Sequence, residues 1–118
     1  MLEGLYTCIN ASGDATYFEA EVSLNADHPL FAGHFPGRPV LPGVCQLHIV
    51  KDLVERHIGR MLNCRTAREL KFLSPIIPSH ETCLRIVISL TTNGDSIAVQ
   101  GIISAGDVQK TKIKVIFV

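Results

Sequence analysis

Composition alone withholds most of what would identify this chain. Neither sign of charge is in excess, since eleven Lys and Arg balance eleven Asp and Glu over 118 residues. No overall field therefore recruits nucleic acid or an anionic membrane surface, and a charged partner has to be met by a local patch. Cys8, Cys45, Cys64 and Cys83 stand singly with no C-x-x-C pair, a pattern that fits reduced thiols better than a disulfide framework. No H-x-H, H-E-x-x-H or Cys-His cluster occurs, so no metal site is expected. No apolar run approaches the length of a membrane span, and the opening "MLEGLYTCINASGDATYF" lacks the basic start and continuous apolar stretch of a signal peptide. A soluble, cytoplasmic protein is the expectation. Repeats, linkers and low-complexity segments are missing too, which leaves residues 1–118 as one domain around one core.

What is present is strand pattern around one helix. "LYTCI" and "ATYFEAEVSL" predict a hairpin across the turn "NASGD", and in its second strand Phe18, Ala20, Val22 and Leu24 alternate with Tyr17, Glu19, Glu21 and Ser23. From Asn25 to Leu41 the chain reads as loop, because Pro29, Pro36 and Pro39 disfavour regular structure in their neighbours. A helix is predicted from Pro42 to Ile58, with Gly59 as its stop. Val44, Leu47, Val50, Leu53, Val54 and Ile58 cover about half its circumference at ~100° per residue, with Cys45 and Ile49 widening the apolar arc. His48, Asp52, Glu55 and Arg56 fall on the narrower polar side. "ARELKFLSPIIPSHETCLRIVISLT", "SIAVQGIISAG" and "VQKTKIKVIFV" read as three further strands, divided at "NGD" and "AGD". One enclosed helix with at least five long strands implies an α+β fold, an antiparallel sheet curled around the helix.

The proline-glycine stretch "GHFPGRPVLPGV" carries the chemistry. It is no phosphate loop, because no Lys followed by Ser or Thr comes after its glycines. Pro42 and Gly43 nevertheless open a buried helix, whose first N–H groups can hold an anion or a carbonyl that becomes one. His34 lies on the stiffened loop leading to them. A base beside an oxyanion site is what removal of a proton next to a thioester carbonyl requires, although a single loop histidine read by itself is more often structural or solvated than catalytic. His28 and His57 have no partner at a useful spacing and are expected at the surface or behind the site.

The same stretch resembles the signature of the 3-hydroxyacyl-acyl-carrier-protein dehydratases, FabZ/FabA-like enzymes of the hotdog fold. "EVSLNADHPLFAGHFPG" resembles the family's preceding strand and loop, and "ELKFLSPIIPSHE" its Phe-x-x-Pro-x-x-Pro segment. The resemblance implies a hotdog domain acting as at least a homodimer on an acyl chain borne by the phosphopantetheine arm of acyl carrier protein, with acid and base alone and no cofactor. It implies His34 as the base that takes the α-proton, Gly43 as the N–H that holds the thioester carbonyl, and Val40 as the carbonyl that steadies the imidazole. Phe35, Pro36, Pro39 and Pro42 are then shape rather than chemistry.

The departures are informative. The family's Glu or Asp fourteen residues after the histidine falls on His48, the position four further on is Asp52, and the last motif's Gly-Asp becomes Ser79-His80. These features resemble the smaller ApeI-like dehydratases of aryl-polyene-type pathways. His48 is the expected replacement acid, with Asp52 one turn on to favour its charged form. Loss of the carboxylate also leaves open a non-catalytic hotdog protein that binds acyl thioesters, or a hotdog thioesterase. Carrier proteins are acidic, and Arg38, Arg65, Arg68 and Lys71 are the expected docking residues.

Overall fold

The computed structural model describes residues 3–33 and 39–118. Strands β1 (Tyr6–Gly13) and β2 (Tyr17–Leu24) are followed by a short helix α1 (Pro29–Gly33) and the long helix α2 (Gly43–Ile58). Strands β3 (Cys64–Phe72), β4 (Cys83–Asn93), β5 (Ser96–Ala105) and β6 (Val108–Phe117) complete the chain. Among the described residues all strand pairings are antiparallel, and the six strands lie in the order β1-β2-β4-β5-β6-β3. The sheet's inner face packs on α2, as the expected α+β arrangement requires.

Strict alternation builds that inner face. Phe18, Ala20, Val22 and Leu24 are buried on β2, and Leu84, Ile86, Ile88 and Leu90 continue the layer on β4. From α2 the layer receives Ile49, Val50, Leu53 and Val54. Each such side chain withdrawn from water contributes about 1.5–3 kcal/mol against the entropy of ordering it.

The helix begins and ends where its caps say it should. Pro42 is the N-cap, extended at φ −60° and ψ 148° and without a side-chain cap bond. Gly59 closes α2 in the left-handed conformation, φ 79°, its N–H donating to Glu55 O at 2.9 Å. The Glu55 carboxylate then accepts the Leu62 N–H at 2.7 Å and Lys51 Nζ at 3.1 Å, which aims the chain into β3 and holds the Glu55 carboxyl below its usual range.

Four expectations need correction. β1 continues to Gly13, because the turn is made later by Asp14, whose Oδ1 accepts from the Thr16 and Tyr17 N–H groups at 2.9 and 3.0 Å. The stretch from Asn25 to Leu41 contains α1, since Pro29 is acceptable in a first turn and the His28 Nδ1 accepts the Leu30 N–H at 3.0 Å. The segment read as one strand from Ala67 to Thr91 is two strands: Pro75 and Pro78 cannot donate to a ladder, and residues 73–82 form a loop tied to β6. The buried arc of α2 is also rotated in its first turn. Val44 is 75% exposed while Gln46 is 3% exposed, because the amide finds hydrogen-bond partners inside.

β3 is an edge strand and nearly all of it is exposed. It pairs with β6 through two bulges, between Cys64 and Thr66 and between Ala67 and Glu69. Arg65 and Arg68 are the residues these bulges leave without a rung partner. Leu70, Phe72 and Leu73 are exposed at its end.

Candidate active site

The site forms where the start of α2 meets the end of β3. The first helical acceptor is Pro42 O, taken by the N–H groups of Cys45 and Gln46 at 3.0 and 3.1 Å. The N–H groups of Gly43 and Val44 precede these bonds and point out of the helix start, the positive end of its dipole. The Phe72 ring lies directly over Gly43, so close that a methyl built there would overlap it, with Cε1 at 2.9 Å. Only glycine fits under the ring as it stands. Upstream, the Leu41 N–H donates to Ile76 O at 2.9 Å, which joins the proline-rich approach to the Pro75–Pro78 loop. Val40 is half-buried beside it.

Position 48 carries the second set of groups. His48 Nε2 lies 3.6 Å from Asp52 Oδ2, one helical turn on, with both side chains partly accessible. The same Asp52 oxygen accepts a hydrogen bond from the Tyr6 hydroxyl at 3.1 Å. Burial foremost, then the Asp52 charge, pushes the Tyr6 phenol well above its ordinary range. It is therefore a proton donor to Asp52 at any ordinary pH. The Arg56 guanidinium stands 5.9 Å over the Tyr6 ring. Tyr6, Asp52 and His48 thus form a connected row in which a carboxylate fixed by a phenol faces an imidazole. Tyr6 escaped the sequence reading, because 46 residues separate it from Asp52 and nothing local marks it.

The other expected residues divide. His34 and Arg38 lie outside the described residues. Arg65, Arg68 and Lys71 are exposed on β3, and Lys71 sits 3.8 Å from Glu69. The register sets Lys71 opposite Lys112 and Glu69 opposite Lys114. Arg68, Lys71, Lys112 and Lys114 therefore line adjoining shallow hollows on the outer face of β3, β5 and β6. Lys112 and Lys114 were also missed, although their alternation in "KTKIK" places both on one face.

His28 departs from the expected surface position, whereas His57 is exposed as expected. His28 is buried, accepting from Leu30 N–H through Nδ1, which leaves Nε2 to donate to Glu3 O at 2.9 Å. His57 stacks on Phe18 with ring centroids 4.1 Å apart and contacts Asp14 O at 2.6 Å. Both hold structure together.

A six-stranded antiparallel sheet in this order, packed on one long helix, is a hotdog fold. The chain belongs to the ApeI-like family, described as ApeI dehydratase, which matches residues 10–102. Curated relatives include the 3-hydroxyacyl-[acyl-carrier-protein] dehydratases FabZ of Erwinia tasmaniensis and Klebsiella pneumoniae subsp. pneumoniae. Each is 24% identical over 90 residues, covering 69% of this chain and 60% of the relative. The chain thus spans about 60% of the length of these relatives. Among solved structures, an uncharacterized protein from Erwinia carotovora subsp. atroseptica superposes with a TM-score of 0.74 at 25% identity, covering 97% of this chain and 96% of its own. The dehydratase heterocomplex ApeI:P from Xenorhabdus doucetiae gives 0.76 at 20% identity, covering 94% and 96%. Among the described residues no helix is long and apolar enough to cross a membrane.

Proposed function

We propose that this protein is a cytoplasmic hydro-lyase that removes water from a 3-hydroxyacyl thioester carried on acyl carrier protein, giving the trans-2-enoyl thioester. His34 takes the α-proton, the electron pair forms the new double bond, and the 3-hydroxyl leaves as water with a proton from His48. The Gly43 N–H receives the charge that develops on the thioester oxygen, and the Val40 carbonyl orients the His34 imidazole. The observation that carries the reading is the His48–Asp52–Tyr6 row. A carboxylate itself held by a phenol lies 3.6 Å from the imidazole that stands where the family has a carboxylic acid, so the polar groups an acid needs around it are gathered at that position.

Assembly and docking belong to the same reading. β3 offers an open edge with Leu70, Phe72 and Leu73 exposed beside it, the surface for a second copy. Arg65, Arg68 and Lys71, with Arg38 from the loop, receive the acidic carrier. The test is incubation with a 3-hydroxyacyl-carrier substrate followed by mass spectrometry. Loss of one water supports dehydration, release of free acid would indicate a thioesterase, and an unchanged acyl group on bound carrier would indicate an accessory binding protein. Light scattering in the same buffer reads the assembly: a dimer supports self-pairing, whereas a monomer that dimerises only with a related chain would replace it with a heterologous pair.

A further inference from the structure

Gln46 is a polar side chain in the buried face of α2, and an aliphatic residue there would avoid the cost of desolvating an amide. Its bonds run in two directions. Nε2 donates to Leu41 O at 3.1 Å, and Oε1 accepts from Thr111 Oγ1 at 2.5 Å. The assignment is unambiguous, because a backbone carbonyl can only accept; the amide NH2 must face Leu41, so its oxygen faces Thr111 and the hydroxyl is the donor. Leu41 is thereby held from both sides, its N–H by Ile76 O and its carbonyl by Gln46. Thr111 is wholly buried and sits opposite Phe72 in the β3–β6 register, the same Phe72 whose ring covers Gly43. The approach to α2, the first turn of the helix and the rung beneath the covering ring therefore meet at one amide.

We propose that Gln46, oriented by Thr111, is a positioning residue that fixes the Val40–Gly43 segment so that its carbonyl and N–H groups keep the directions the reaction needs. This rests on the dehydratase reading for its catalytic consequence, but the anchoring itself can be measured without turnover. Three variants separate anchoring from mere packing: Gln46→Leu, Thr111→Val and the double variant. Gln46→Leu leaves the Thr111 hydroxyl and the Leu41 carbonyl unpaired, whereas the double variant leaves an apolar pair in place of the hydroxyl–amide bond, a replacement that is often nearly neutral. The double variant should thus melt closer to the parent than Gln46→Leu does. It should nonetheless keep a loss of about tenfold in kcat with KM near the parent, the size of one hydrogen bond converted to rate. Thr111→Val alone, which keeps the Leu41 bond, should lose less than about threefold in kcat, a fraction of that one bond.

Hydrogen exchange supplies the independent arm. The Leu41 amide should exchange about tenfold faster in the double variant relative to β4 core amides, which report global opening. Faster Leu41 exchange with restored melting supports the proposal. Unchanged Leu41 exchange, or a double variant that regains both melting temperature and kcat, would overturn it. If the parent itself dehydrates no thioester, the dehydratase reading falls, and the exchange comparison still decides whether Gln46 anchors the segment.

Discussion

Replacement of Gly43 by Ala puts the oxyanion assignment at risk while leaving the fold nearly untouched. The added methyl would overlap the Phe72 ring, and the ring is the partner able to give way, since Phe72 is 51% exposed. Full burial of such a side chain is worth about 1.5–3 kcal/mol, so displacing a half-exposed ring costs about 1 kcal/mol. Against this, Ala in place of Gly at the first helical position gains at most about 0.5 kcal/mol, the low end of the helix-interior value. A net loss of about 0.5–1 kcal/mol remains, and the melting temperature should fall by less than about 5 °C. Turnover should not follow. A methyl beside the donor, together with a displaced ring, removes the approach to the Gly43 N–H, and loss of one oxyanion donor costs about 10²–10³ in kcat. The assay is single-turnover conversion of a 3-hydroxyacyl pantetheine thioester, with Phe72→Ala as a control for the displaced ring. A Gly43→Ala variant that melts and turns over like the parent would refute the placement of the thioester carbonyl at this N–H.

Three further outcomes are expected. His48→Ala should lower kcat by at least ~10², the low end of typical acid–base contributions, with Asp52→Asn and Tyr6→Phe costing progressively less; steady-state rates that fail to rank in this order would break the row into unrelated surface contacts. Glu81 accepts from Lys110 Nζ at 2.7 Å, and that bond, ahead of its other contacts, holds its carboxyl below the usual range. A depressed carboxyl stabilises the fold above the normal Glu pKa of about 4.3 and loses that contribution as pH falls through its lower folded value, so urea melts should show Glu81→Gln weaker than the parent by about 1.5–3 kcal/mol at pH 7, with the gap closing in acid. Charge reversal at Arg68 and Lys71 should slow turnover of carrier-bound substrate more than that of a short pantetheine thioester, and equal loss on both would remove the docking role.

The parts of the fold legible in advance are those governed by local pattern. Alternation over Phe18–Leu24 placed one strand face inside, and Pro42 with Gly59 bracketed α2, because caps and periodicity act within a few residues. The errors arose where a side chain settles the backbone's choice. Asp14 moves the first turn, and His28 caps a helix in a stretch whose prolines argued for loop. At the site, His48 and Asp52 were readable as an i,i+4 pair, but Tyr6 comes to them from β1 and Thr111 reaches Gln46 from 65 residues away. Polar partners across a core leave no periodic trace; each looks like an ordinary residue until topology brings the two together.

The two bulges of β3 bear on how this protein avoids sticking to others. A flat nine-residue edge with apolar residues at one end would template any extended peptide it met during synthesis or storage. Each bulge breaks the even spacing of the ladder, and each projects an arginine, Arg65 or Arg68, at the break. An unrelated strand that tries to add there loses its hydrogen-bond register and meets a positive charge at each break. Only a strand with matching irregularities can add there, as β3 of a second copy would, so the bulges favour self-pairing over extension by unrelated chains.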